Sequence, residues 1–294
     1  LKILKNNFFY NQKNIYLYIF VISAVSRIFI AYFYGDRGLE NEWGILAKNL
    51  YNFNSFSIIK FNDLFVPNLW MPPIYGYFVY VHALIFGLNE NLAAYVICTQ
   101  IIISSITPII FYKIISKFFS QNLSLIGGFI FSLFPLIVYS SSQISSVSLY
   151  QFLFLAFIYL FLNLTNLKSY KNFIIIGFLA GILILTRRDF VLIYIFSLFY
   201  LFLFLKINLK KIIYIVLVTV ITISPYLIRN YIAFDKIIIQ AGLGYNVWKA
   251  YNPNAKVEGY ITESKDLEVQ LNKVERDINY RINEDKIYLD QGKN

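Results

Sequence analysis

Acidic residues are almost missing from the middle of this 294-residue chain: between positions 74 and 229 only Glu90 and Asp189 occur, against ten bases. Charged residues make up 14% of the whole, where a soluble domain carries about a quarter. That scarcity excludes an ordinary water-soluble fold. There is one cysteine, Cys98, and it sits in an apolar run, which excludes an internal disulfide and a cysteine-based metal site. There is one histidine, His82, with no cysteine or second histidine near it. Zinc-type sites need several such ligands, so a packed or interfacial histidine is expected. The polar–apolar alternation of a membrane barrel is missing as well.

What is present is apolar: 58% of the residues are hydrophobic and mean hydropathy is +0.59. Several runs approach the ~20 residues that cross ~30 Å of hydrocarbon as helix, and backbone groups in lipid must find their partners within the segment. The expected fold is therefore all-α, a polytopic bundle of about seven transmembrane helices at 14–34, 92–118, 123–139, 146–167, 172–186, 190–205 and 212–228. A further run, 74–88, is short and follows Pro72-Pro73. If it lies along the interface, Lys2, Lys5, Lys13, Lys113, Lys117, Lys168, Lys171, Lys206, Lys210 and Lys211 share one face, which is then cytoplasmic. If it crosses, seven of those lysines face outward. The first arrangement is preferred. It leaves two polar segments outside, a first loop at 35–73 and a tail at 230–294. The domain organisation expected is a membrane module over 1–229 and an extracytoplasmic segment over 230–294. The tail has apolar residues at helical spacing around Leu267, Val269, Leu271 and Val274, as in a helix lying over the mouth of the bundle. The chain opens on Leu1 and stops in a polar stretch, so it reads as a piece of a longer protein.

The net charge of +10 belongs to the flanks of apolar runs and does not point to nucleic acid; the partners expected are membrane lipids. Lysine is the usual base here, which makes the exceptions informative. Arg187, Arg188 and Arg229 sit at the outward ends of predicted helices, and Arg27 in the outer half of the first. Guanidinium grips phosphate in two-pronged fashion as ammonium cannot. Snorkelling to lipid headgroups is the plainer role of any one of them. The outer loop supplies Asp36, Glu40, Glu42 and Asp63. Glu40-Asn41-Glu42 precedes a short predicted helix, where a carboxylate is stabilised as an anion and either caps the helix or acts as base or ligand. Glu40 and Glu42 leave room for a divalent metal, but two carboxylates do not define a site. Gly127-Gly128 and Gly177/Gly181 suggest close helix packing, and Pro108, Pro135 and Pro225 suggest kinks. The sequons at Asn122 and at Asn163-Leu164-Thr165 fall at predicted cytoplasmic helix ends and are taken as chance.

Four segments resemble GT-C glycosyltransferases, in particular the protein O-mannosyltransferase/aminoarabinose-transferase-like branch. Glu42-Trp43-Gly44 with Ala47-Lys48-Asn49-Leu50 and Phe56-Ser57 is similar to that branch's first outer loop. Leu69-Trp70-Met71-Pro72-Pro73-Ile74-Tyr75 is similar to its W-x-P-P-x-Y segment. Ser224-Pro225-Tyr226-Leu227-Ile228-Arg229-Asn230-Tyr231 is similar to P-W-x-I-R-N-Y, with Tyr226 in place of tryptophan. Gly244-Tyr245-Asn246-Val247-Trp248 with Asn252-Pro253 is similar to the G-x-N-x-W…N-P that follows. The sequence departs from the branch at Leu39 or Asn41, where aspartate is common, and at Met71, where a base is common.

The resemblance implies a polyprenyl-phosphate-linked sugar donor and inverting transfer to an acceptor outside the cytoplasm. It implies a first-loop carboxylate as general base, Glu42 first and Glu40 second. It implies donor-phosphate contacts from Arg229, Arg187, Arg188 and Asn230, and stacking on sugar or isoprenoid by Trp70, Tyr75 and Trp248. A transporter or flippase of a polyprenyl-phosphate-linked lipid is the alternative, and a non-catalytic scaffold a third. The enzyme is preferred because polar groups gather at the outer rim, whereas a transporter needs them at mid-membrane.

Overall fold

The computed structural model describes residues 12–164, 170–252 and 264–292; Lys2, Lys5, Thr165, Lys168 and Pro253 fall outside them. The protein is a helical membrane bundle. α1 (Gln12–Tyr34), α4 (Leu92–Ile115) and α10 (Leu209–Phe234) are each long and apolar enough to span a bilayer. At 1.5 Å per residue they reach about 34–39 Å. The shorter apolar helices packed with them are α3 (Pro73–Phe86), α5 (Gln121–Leu133), α7 (Val147–Leu162), α8 (Tyr170–Thr186) and α9 (Phe190–Leu203). Large apolar side chains face outward along these helices, among them Phe196 at 71% exposure and Ile221 at 66%. Such continuous apolar surface is tolerable in lipid and rare in water.

Two expectations about the helices change. The run at 123–139 is broken, because Pro135 lacks an N–H and forces the residue before it out of the α region. Phe134 is extended (φ −62°, ψ 118°), ending α5 and starting the short α6 (Pro135–Ser140). The run at 92–118 stops at Ile115. Pro108 and Pro225 lie inside unbroken helices.

α8 and α10 make the closest helix pair. A Cβ on Gly177 would lie 2.6 Å from the carbonyl oxygen of Ile215, and one on Gly181 would lie 2.6 Å from Thr222 Cβ. Thr219 Oγ1 donates across this seam to the Gly177 carbonyl at 2.9 Å. Small residues admit this approach of backbones, as their spacing suggested.

The two ends of the bundle differ in chemistry. At one end, Lys113 Nζ lies over the Tyr16 ring at 4.9 Å, joining the end of α4 to the start of α1. Lys117 donates to Asn163 after α7, and Lys211 lies 5.9 Å over the ring of Tyr170, joining the starts of α10 and α8. At the other end lie α2 (Glu42–Phe53), the hairpin β1 (Ser57–Phe61) and β2 (Leu64–Pro67), and the tail helices α11 (Leu243–Tyr251), α12 (Lys265–Asn272) and α13 (Tyr280–Gln291). The hairpin is an addition to the all-helical expectation. Asn62 takes a positive φ of 52° between strands in register Phe61–Leu64 and Ile59–Val66, and asparagine tolerates that conformation well.

Arg27 does not join the other arginines. It is fully buried between α1, α4 and α5, donating through Nε to Ser104 Oγ (2.7 Å) and through Nη1 to the carbonyls of Ser23 (3.0 Å) and Ser132 (2.9 Å). His82 is packed as expected, Nδ1 2.8 Å from the Phe78 carbonyl and Nε2 2.8 Å from Thr99 Oγ1.

Gly177→Leu is expected to force α8 and α10 apart and to cost about 1–3 kcal/mol, the usual range for overpacking. Thermal unfolding in detergent, compared with Gly38→Leu, where a Cβ meets nothing closer than 3.6 Å, would measure it.

Candidate active site

The segment before α3 is shaped by one side chain. Asn68 Oδ1 accepts from the amides of Trp70 (3.0 Å) and Met71 (3.1 Å), and Nδ2 donates to the Met71 carbonyl (2.7 Å). This turn delivers the chain to Pro72 and Pro73, and Pro73 starts α3 at a position where no amide is needed.

The end of α10 grips the same segment. Arg229 Nη1 donates to the Asn68 carbonyl (2.9 Å) and to Asn230 Oδ1 (2.7 Å), and Nη2 donates to the Phe56 carbonyl (3.3 Å). Tyr226 OH also approaches the Asn68 carbonyl, at 3.4 Å. Asn230 is fully buried and donates to the Ile238 carbonyl at 2.6 Å. Arg188 joins through an intermediary: its Nη1 donates to the Gln240 carbonyl (3.0 Å), and Gln240 Nε2 donates to the Trp70 carbonyl (2.6 Å). The Trp70 ring then meets Arg281, 4.9 Å away face-on, and Tyr245, 5.5 Å away edge-on. Arg187 stands apart and exposed, 3.8 Å from Asp189 and 5.5 Å from the Tyr150 ring.

The acids sit on the other flank. Asn41 caps α2, its Oδ1 accepting from the Gly44 amide (3.0 Å) while Nδ2 donates to the Ile144 carbonyl (2.7 Å). Gly44 has no room for a side chain: a Cβ would lie 2.5 Å from the Leu39 carbonyl oxygen. Asp36 accepts from the Ile144 amide at 2.7 Å and its own amide donates to Ser142 at 3.0 Å. Glu42 is exposed on the first turn of α2. Glu40 is exposed too, but lines a cleft of about 430 Å³ with Arg37, Lys48 and Glu90. Neither carboxylate pairs with an arginine among the described residues.

The structure thus brings Arg229, Asn230, Arg188 and Trp70 together, leaves Glu42 and Arg187 on open surface, and puts Glu40 at a separate cleft. Two of the aromatic side chains expected to stack on ligand are packed instead. Tyr75 is fully buried, 5.1 Å from Trp43, and its hydroxyl bonds Gln100. Trp248 is 8% exposed, among Leu267, Tyr245 and Tyr288 in the core of the tail. Sequence reading overlooked Asn68, Gln240 and Arg281, whose polar side chains gave no signal until their distant partners were known. Among the described residues no three His, Cys, Asp or Glu side chains are grouped to hold a metal ion.

All four family-like segments meet here. Trp43 touches Tyr75, Arg229 and Tyr226 hold Asn68, and Tyr245 touches Trp70. Comparison with protein families matches residues 71–228 to the dolichyl-phosphate-mannose-protein mannosyltransferase model. No curated protein and no solved structure matches the chain.

Replacing Arg229 by lysine is expected to remove the guanidinium donor from at least one of the Asn68 and Phe56 carbonyls, which keep Tyr226 OH and the Asn68 amide. A hydrogen bond to a charged group contributes about 1.5–3 kcal/mol. Faster amide exchange at Asn68 and Trp70 and a lower unfolding temperature should follow, while Arg187→Gln should change neither.

Proposed function

The chain belongs to the dolichyl-phosphate-mannose-protein mannosyltransferase family, and on that premise we propose that it moves a hexose, of mannose type, from a polyprenyl-phosphate donor to an acceptor hydroxyl or amine on the extracytoplasmic side. At the coarser level it is a multi-pass membrane glycosyltransferase. The observation that carries the finer reading is the convergence of the other three segments, one of them about 175 residues away, on the stretch 68–75.

In this reading the lysine-bearing end of the bundle is cytoplasmic, and α3 lies along the outer interface with the loop and tail above it. The acceptor oxygen or nitrogen attacks the anomeric carbon as the bond from that carbon to the phosphate oxygen breaks, with inversion. The acceptor proton passes to a first-loop carboxylate. Glu40 is favoured over Glu42 because it lines a cleft, while Glu42 projects from an exposed helical turn. The leaving polyprenyl phosphate gathers charge that a guanidinium can stabilise. Arg187 is the exposed one that can swing toward it, giving up a long ion pair to Asp189 and a contact with the Tyr150 ring, and Arg188 follows. Arg229 and Asn230 act as positioning residues, holding Trp70 at the mouth. Tyr75 and Trp248 support the loop and the tail from within.

The test is sugar transfer from radiolabelled polyprenyl-phosphate sugars by membranes containing the full-length protein. Glu40→Gln should lower transfer by about 10²–10⁴-fold, the usual worth of a general base, and Glu42→Gln should retain most of it. A wild type that transfers nothing, yet carries the labelled lipid across the bilayer, would replace this reading by the transporter.

A further inference from the structure

Two cavities at the loop end share Arg37 and Glu90. The upper one holds Glu40 and Lys48. The lower one, about 350 Å³, runs down the seam of α1 and α4 and changes character on the way, from Asp36 and Asn91 at the top to Ile28, Cys98 and Ile101 below. A groove that is charged at its head and apolar along its length has the profile of a lipid.

The charges narrow the choice. Arg37 and Lys48 face the same space as Glu40 and Glu90, yet none of the four forms an ion pair with any described residue. Arg37 commits one Nη2 donor to the Tyr32 carbonyl, which leaves most of its guanidinium unengaged. A purely anionic head would meet Glu40 and Glu90, and a purely cationic one would meet Arg37 and Lys48. A compact zwitterion satisfies both pairs.

We infer that the α1–α4 groove is a binding site for a zwitterionic phospholipid of ethanolamine type. Its phosphate lies toward Arg37 and Lys48, its ammonium toward Glu90 and Glu40, and an acyl chain descends past Cys98. This sets a lipid amine beside Glu40. Only the further step, that the amine can serve as acceptor, rests on the transferase reading.

Cys98 is the one cysteine of these 294 residues and is exposed in the groove, so alkylation followed at the peptide that carries it reports occupancy without any sugar donor. The full-length protein in dodecyl maltoside would be alkylated with N-ethylmaleimide, alone or with dioleoylphosphatidylethanolamine or dioleoylphosphatidylglycerol. The ethanolamine lipid should slow alkylation saturably, by about tenfold at ten times its Kd, and the glycerol lipid should do little. Arg37→Gln and Glu90→Gln should each abolish the protection, every variant being referred to its own lipid-free rate, while Lys60→Gln on the hairpin should keep it. Absence of protection, equal protection by both lipids, or protection that survives both groove substitutions would overturn the inference. None of these results touches sugar transfer, so the two readings fail separately.

Discussion

The guanidinium of Arg229 is the pivot of the end of the molecule that carries the first loop and the tail. It reaches from the end of a membrane helix to two carbonyls of the first loop, at Asn68 and Phe56, while its own neighbour Asn230 ties the same helix to Ile238 at the start of the tail. Loop, helix and tail are far apart in sequence, and these bonds join them. Carbonyls at the end of a hairpin need donors once water is excluded, and a fixed fork satisfies more than one of them. That contact fixes, against the end of α10, the turn that Asn68 makes with its own side chain.

Much of this was legible from residue order alone, and what was legible has a common physics. Helix existence follows from uninterrupted apolar length, the lysine-bearing end from charge next to those runs, and the α8–α10 seam from glycines four apart. Leu267 was expected on a tail helix and is buried on α12. Much of what escaped depends on partners distant in sequence. An arginine at a helix end looks the same in sequence whether it grips phosphate or a carbonyl, and only the fold shows that Arg229 holds main-chain carbonyls while Arg187 meets Asp189 and the Tyr150 ring. Tyr75 and Trp248 illustrate the same ambiguity for aromatic rings, which serve equally well in a core and against a ligand. Pro135 was visible, but as a kink and not as the complete break that the extended Phe134 makes.

The contrast between the two ends of the bundle carries a chemical division of labour. Lysines at one end rest on aromatic rings of Tyr16, Tyr159 and Tyr170, contacts that mark the helix ends. The opposite end uses arginine, asparagine and glutamine in directional bonds to main-chain carbonyls. Directional bonds make shape, and two clefts that mix charged and apolar walls lie at that end.

Arg27 adds a constraint in time. Its side-chain partners on the other helices, Ser104 and the Ser132 carbonyl, lie 77 and 105 residues further along the chain. A charge at the centre of a lone helix costs about 2.5–3.5 kcal/mol on insertion scales, which the apolar residues of α1 can offset but not remove. At about 5–20 residues per second of synthesis, the first helix waits on the order of several seconds before α4 and then α5 arrive to take up its hydrogen bonds. Until then it is a helix in want of neighbours, and the order in which this protein enters its membrane is written into the position of one guanidinium.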